Sequence, residues 1–238
     1  MSHVCFPTTR TDMDEHDVHV WMTWLHDPGR GEGGADLLSD DELRRSARLP
    51  ERFGSRFVAG RAFLRRVVSS YVGRHPSEVQ FGYGPQGKPE LIGDPATLRF
   101  SLSHSRGLAV CAIAPRRAIG VDVEAVTDTL FLDRISKRFF APDECAALAN
   151  AEGPRERNRV FALAWTKREA ALKMLELPLA TPREQLAIDR EGSPGRGGPT
   201  LHEIEPIDGW VGAIAVGGPI RTLTSRWISA HPNLIPLA

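Results

Sequence analysis

Hydrophobic positions in this chain recur with two periods, and the switches between them lay out the elements. Val18-His19-Val20-Trp21-Met22-Thr23-Trp24 alternates with period two, predicting a strand, and a loop from Pro28 to Gly34 follows. Ser39-Asp40-Asp41-Glu42 opens a helix, with Ser39 as capping residue and Glu42 three places on. A longer helix is predicted over 51–72, where Phe53, Phe57, Phe63, Leu64, Val67, Val68 and Tyr71 supply the apolar face and Gly73 the stop. Short strands are expected over 79–81, 98–102 and 108–114, and the alternation Gly120-Val121-Asp122-Val123-Glu124 predicts another.

The second half restarts this plan. Ala141-Pro142-Asp143-Glu144 opens a helix as Ser39 to Glu42 does, and a longer helix follows over 155–177, with Phe161 where the earlier one carries Phe57. With a two-residue insertion, Arg65 falls opposite Glu169. Strands are expected over 185–188, 201–205 and 210–216, around a glycine-rich loop from Gly192 to Gly198. From Pro219 onward the chain fits either one more strand or an irregular tail. The pattern is that of two similar α+β halves, 1–119 and 120–238, facing each other with a cleft between their long helices and sheet ends.

Length and charge bound the partners. A chain of 238 residues can bury a sizeable core as one large domain or two small ones. Its 30 acidic and 30 basic residues balance, so no global charge argues for nucleic acid or a membrane as partner. Locally, Arg44, Arg45, Arg48, Arg52, Arg56, Arg61, Arg65 and Arg66 crowd one helical region, which is either an anion site or a solvated helix face. Lysine stands only at positions 88, 137, 167 and 173. Cys5, Cys111 and Cys145 lack metal-ligand spacing and read as free thiols of a reducing compartment. No apolar run reaches membrane-spanning length, and Met1 to Cys5 carries no targeting pattern, so a soluble cytoplasmic protein is expected.

Three segments carry candidate chemistry. Gly82-Tyr83-Gly84-Pro85-Gln86-Gly87-Lys88-Pro89 comes within one residue of a nucleotide-binding P-loop. Pro89 stands where a magnesium-binding hydroxyl is needed, and Gly93-Asp94-Pro95 breaks any following helix. What survives is a glycine-rich turn whose amides can approach a phosphate beside Lys88, or a plain surface turn. Phe100-Ser101-Leu102-Ser103-His104-Ser105 places hydroxyls and an imidazole at a strand end without a nucleophile elbow, so His104 reads as an anion contact or a structural residue rather than a base.

The third segment pairs the Gly120 to Glu124 strand with Trp165-Thr166-Lys167-Arg168-Glu169-Ala170-Ala171-Leu172-Lys173. Alternation puts Asp122 and Glu124 on one strand face, and helical spacing puts Glu169 beside Lys173, one turn after Trp165. Separately these are a half-buried strand and a surface ion pair; together they read as three oxygen ligands and a cation. Magnesium takes one to three protein carboxylates and completes its shell with phosphate oxygens, so Asp122, Glu124 and Glu169 imply a diphosphate substrate. Lys173 would then neutralise charge on a departing phosphate.

In this order the segments resemble the 4'-phosphopantetheinyl transferase superfamily, in the longer single-chain type similar to the surfactin-synthetase activating enzyme. The resemblance rests on Gly87-Lys88-Pro89, Ser103-His104, Gly120 to Glu124 and Trp165 to Lys173, and spans residues 39–216. It implies a pseudo-twofold α+β enzyme that binds coenzyme A between its halves with magnesium on the diphosphate. It also implies transfer of the phosphopantetheine arm to a serine of an apo acyl or peptidyl carrier protein, with release of adenosine 3',5'-bisphosphate. By the same resemblance Asp122, Glu124 and Glu169 hold magnesium, Lys173 stabilises the phosphoryl group being cleaved, and Gly87, Lys88, Pro89, Ser103 and His104 line the coenzyme A site. Arg52 matches a family arginine for the nucleotide, and Arg61 is a further candidate. A monomer is expected. The serine proton goes to Glu169 or to a metal-bound water. A non-catalytic coenzyme A or carrier-protein binding module and a magnesium-dependent phosphohydrolase are the rival readings.

Overall fold

The first alternating run forms β1 (Asp17–Trp24), whose inner residues are all buried, which places it inside a sheet rather than at an edge. A computed structural model describes residues 13–25, 34–93, 98–128, 132–182, 186 and 199–228. α1 (Asp40–Ala47) begins after Ser39, whose backbone N–H donates to Glu42 Oε2 at 3.0 Å, half of a capping box. α2 (Glu51–Val72) has the expected limits, and Gly73 closes it at φ 66°, a left-handed conformation that glycine adopts without strain. The remaining elements are β2 (Phe81–Tyr83), β3 (Pro89–Leu91), β4 (Arg99–Ser105), β5 (Leu108–Ala114), β6 (Ile119–Ala125), α3 (Leu132–Phe139), α4 (Pro142–Asn150), α5 (Gly153–Leu175), β7 (Pro199–Ile204), β8 (Trp210–Gly217) and β9 (Thr222–Trp227).

The strands form a four-stranded sheet in the order β4-β5-β1-β9, a three-stranded sheet in the order β6-β8-β7, and the β2–β3 hairpin. Alternation then decides what each face meets. Trp21, Cys111 and Ile113 turn toward Phe63, Leu64, Val67 and Val68 of α2, while Val18, Val20, Val110 and Ala112 turn toward Val121, Val123, Ile214 and Val216 of the second sheet. Ala213 and Ala215 on that sheet's far face pack on Ala170, Ala171 and Met174 of α5. The protein is thus α+β, with each long helix laid on its own sheet and the sheets packed against each other. α3 and α4 cover the N-terminal half of α5 through Leu132, Phe140, Leu148 and Phe161.

Several expectations shift. The strand expected over 79–81 begins at Phe81, because Pro76–Glu78 forms a 3₁₀ turn and the Val79 carbonyl is taken by Arg65 Nη1 at 2.7 Å. α5 stops at Leu175, two residues short of the expected end, where Glu176 turns to φ 55°. α3 and β3 were not expected. Residues after Pro219 do form a strand: β9 pairs in parallel with β1, so the last of the described elements joins the first sheet beside the first. The strand expected over 185–188 and the loops expected over 28–34 and 192–198 fall mainly on residues outside those described.

Candidate active site along the β4–β6 seam

Gly120 sets the distance between α5 and β6. A Cβ at this position would lie 1.9 Å from the Ala170 carbonyl oxygen and 2.6 Å from Met174 N, so only glycine lets the helix backbone rest on the strand. Ala170 and Met174 follow Glu169 and Lys173 directly, and Asp122 follows Gly120 on the same strand face. Close approach here therefore brings the helix pair onto the strand carboxylates.

Lys173 Nζ donates to Asp122 Oδ1 at 2.6 Å, to Ser103 Oγ at 3.1 Å and to the Val121 carbonyl at 3.2 Å. Ser103 Oγ donates to the same Asp122 Oδ1 at 2.6 Å. Asp122 is 2 % exposed, and its second oxygen, Oδ2, is buried without a hydrogen-bond partner. A buried acceptor left unmatched is costly and points to a missing donor or cation. Glu124 is half-buried, with Oε2 accepting from Ser105 Oγ at 2.7 Å. Burial raises its pKa, and the neighbouring Asp122 charge adds to the rise.

Glu169 is pushed up to about 7, first by burial and then by Asp122, with Glu124 adding repulsion; Lys173 and a hydrogen bond from Trp165 oppose the rise. Trp165 is itself held by Phe161, stacked at 6.4 Å between centroids. The three carboxylates thus share one electrostatic neighbourhood. Among the described residues no group of three or more His, Cys, Asp or Glu side chains is drawn together as a ready metal cage. Lys173 holds Asp122 Oδ1 instead. The donor set nevertheless suits a hard cation: all oxygen, mutually repelling, with one buried oxygen unmatched.

Beside this cluster lies a cavity of about 390 Å³, within the range of small-molecule sites, lined among others by Gly87, Lys88, Pro89, Glu169, Lys173 and Leu179. The Gly87-Lys88-Pro89 turn of the hairpin forms one wall. The Lys88 ammonium points inward, donating at 2.8 Å to both the Ile119 and the Lys173 carbonyls, and its burial lowers its pKa. His104 is an exposed residue at the end of β4. More than a third of its surface stays in solvent, but the packing around the rest of the residue lowers its pKa, and the positive charges of Lys173 and Arg56 lower it further.

The arginines separate. Arg52 is exposed on the first turn of α2, its guanidinium 4.6 Å from the Phe53 ring centroid. Arg61 is buried and turned to Glu42, with Nε 2.6 Å from Oε1, and it donates to the Tyr83 hydroxyl at 3.0 Å. Sequence reasoning placed Arg56 only in the arginine cluster and Ser101 and Ser105 only among strand-end hydroxyls, whereas the structure brings the Arg56 charge to His104 and turns both serines toward β6. The period-two spacing of Ser101, Ser103 and Ser105 was the available signal.

Fold and site together define a class: an α+β protein with a lysine–carboxylate cluster beside a small-molecule cavity where its two sheets meet. Residues 118–209 match the family model of the 4'-phosphopantetheinyl transferase superfamily. The 4'-phosphopantetheinyl transferase HetI of a Nostoc species is 36% identical over 217 residues, covering 85% of this chain and 88% of that protein. A Synechocystis protein is 34% identical over 139 residues, 58% of this chain and 56% of its own length. A phosphopantetheinyl transferase of a Thraustochytrium species is 29% identical over 180 residues, 70% of this chain and 62% of its own. The chain belongs to the 4'-phosphopantetheinyl transferase superfamily, and it is an enzyme of that class. No helix among the described residues is long and apolar enough to cross a membrane.

Proposed function

We propose that this enzyme, of the longer single-chain type, moves the 4'-phosphopantetheine arm of coenzyme A onto a serine hydroxyl of an apo acyl or peptidyl carrier protein. The bond formed joins the serine oxygen to the phosphorus bearing pantetheine. The bond broken joins that phosphorus to the bridging oxygen of the diphosphate, and adenosine 3',5'-bisphosphate leaves. The observation that carries this reading is the Lys173–Asp122–Ser103 cluster beside the cavity, with Glu169 at its edge.

Each residue has a part. The Gly87-Lys88-Pro89 turn, Ser103 and His104 line the coenzyme A site, and Arg52 approaches its nucleotide from α2. Asp122, Glu124 and Glu169 hold magnesium, supported by the unmatched Asp122 Oδ2 and the mutual repulsion of the carboxylates. When bound, that ion would neutralise the diphosphate charge and polarise the phosphorus–oxygen bond. Lys173, already within reach of Asp122 and Ser103, supplies a positive charge to the leaving phosphate. The serine proton passes to Glu169 or to solvent. In this proposal residues 1–119 contact the nucleotide, and residues 120–238 carry the acidic site and the carrier-protein docking face. A monomer in a reducing cytoplasm completes the reading, the compartment being supported by the free thiols Cys111 and Cys145.

The test is incubation of the full chain with coenzyme A, magnesium and a panel of apo carrier proteins, followed by intact-protein mass spectrometry. A gain of one phosphopantetheine arm, lost with chelator or with the acceptor serine replaced, is expected. Release of adenosine bisphosphate without a gain on any carrier would replace transfer with hydrolysis.

A further inference from the structure

Ser101, Ser103 and Ser105 recur at every second position of β4, and all three hydroxyls reach toward β6. β4 and β6 belong to different sheets, yet hydrogen bonds through these serines join them. Val121 N–H donates to Ser101 Oγ at 3.1 Å, Ser103 Oγ donates to Asp122 Oδ1 at 2.6 Å, and Ala125 N–H donates to Ser105 Oγ at 3.2 Å. Partners advance together along both strands, so the strands run parallel here. The Ser101 and Ser105 hydroxyls stand where a continuous sheet would place backbone carbonyls.

Ser105 differs from Ser101 in the use of its proton. An ionised carboxylate only accepts, so Ser105 donates to Glu124 Oε2 at 2.7 Å while one of its lone pairs takes the Ala125 N–H. The hydroxyl is oriented by β6 backbone and in turn fixes one oxygen of a side chain one residue earlier on the same strand. Glu124 needs such an anchor, being long, rotamer-rich and repelled by Asp122. Ser101, by contrast, bonds to backbone.

We propose that Ser105 is a positioning residue of the acidic site, holding Glu124 in the orientation a divalent cation requires. This rests on the reading of Asp122, Glu124 and Glu169 as a cation site. Groups that orient metal ligands change affinity about 10–100-fold when removed.

The experiment titrates Mn²⁺ into the full chain in the presence of coenzyme A, reading free ion by its electron paramagnetic resonance signal, with metal-free thermal unfolding recorded for each variant. Ser105→Ala is expected to weaken Mn²⁺ binding about tenfold or more. Ser105→Thr, which keeps the hydroxyl, is expected to retain wild-type affinity within about threefold. Ser101→Ala is expected to lower the unfolding midpoint through its lost bond to Val121 and to change Mn²⁺ affinity less than Ser105→Ala does, since its bond is to backbone. Should Ser105→Ala fail to fold, Ser105→Cys, similar in size but a weak donor, is expected to shift affinity in the same direction. Wild-type affinity in the Ala or Cys variant, or an equal loss in Ser101→Ala, overturns the assignment while leaving the cation site standing. If the wild-type protein binds no Mn²⁺ in the presence of coenzyme A, the cation reading falls first and the role of Ser105 falls with it.

Discussion

Lys173 Nζ lies 2.6 Å from Asp122 Oδ1, and Ser103 Oγ meets the same oxygen at 2.6 Å. Helix, strand and neighbouring strand each send one side chain to a single buried point. The lysine is thereby held beside Asp122 and Ser103, and in the role proposed for it this placement lowers the reorganisation needed when charge develops on a phosphate.

Lys173→Ala is expected to lower the chemical step more than it weakens coenzyme A binding if, as proposed, its contact with the phosphate strengthens as the diphosphate bond breaks. Asp122→Ala is expected to lose on the order of a hundredfold in turnover. Single-turnover kinetics beside equilibrium coenzyme A binding separates the two effects. In the double variant the losses should be less than additive, since each single change already breaks the pair. Fully additive losses would show that the pair does not act as a unit.

Gly120→Ala tests how α5 is seated. The added methyl meets backbone atoms of Ala170 and Met174, so the helix must shift, at a cost of about 1–3 kcal/mol or more for overpacking. Turnover should fall well beyond the loss of stability, because Glu169 and Lys173 move with the helix. Circular dichroism melting set against the transfer rate at a temperature where the variant is folded checks this.

Glu42 makes stability acid-sensitive. Its carboxyl is buried, which alone would raise its pKa, but Arg61, the Ser39 N–H and Arg65 outweigh burial and hold it below the ordinary value of 4.5. A pKa lowered in the folded state means that its stabilisation is full above the ordinary value and is lost as pH falls through the lowered one. Glu42→Ala leaves Arg61 and Arg65 buried without their partner and is expected to cost about 3–5 kcal/mol near neutral pH. Denaturant melts at pH 7 and pH 3 should show that gap narrowing in acid.

Lys88→Met removes the donor shared by the Ile119 and Lys173 carbonyls, a loss of about 1–3 kcal/mol for stranded buried groups. Because the ammonium points inward, Lys88→Met should lower turnover through the last turn of α5 at least as much as it weakens coenzyme A binding. A defect confined to coenzyme A affinity would instead mean that the ammonium swings out to a phosphate.

The legible parts of the chain were those governed by near neighbours. α2 carried its apolar stripe and its terminal glycine, and β5 its apolar run, so both have the limits their patterns give. β9 was ambiguous because its partner, β1, lies at the other end of the chain, and the pairing of Asp17 with Thr222 leaves no local mark. Arg61 shows the same limit within the site: arginine on a helix reads as an anion contact until Glu42, on another helix, is seen to face it. α3, a single short amphipathic stretch, has little periodicity to read before Phe140 and Phe161 cover its inner side.

Sequence by itself determined the chemistry available here: which carboxylates alternate on one strand, which lysine follows a glutamate by one helical turn, and where glycine interrupts a strand of β-branched residues. Those are properties of periods two and 3.6, set by the backbone. Tertiary structure alone decided that Gly120 is where a helix backbone rests, that Lys173 reaches Asp122, and that serines of β4 stitch the two sheets beside the acidic site. Such contacts join residues far apart in the chain, and they are fixed only when both sheets and both long helices have buried their apolar faces.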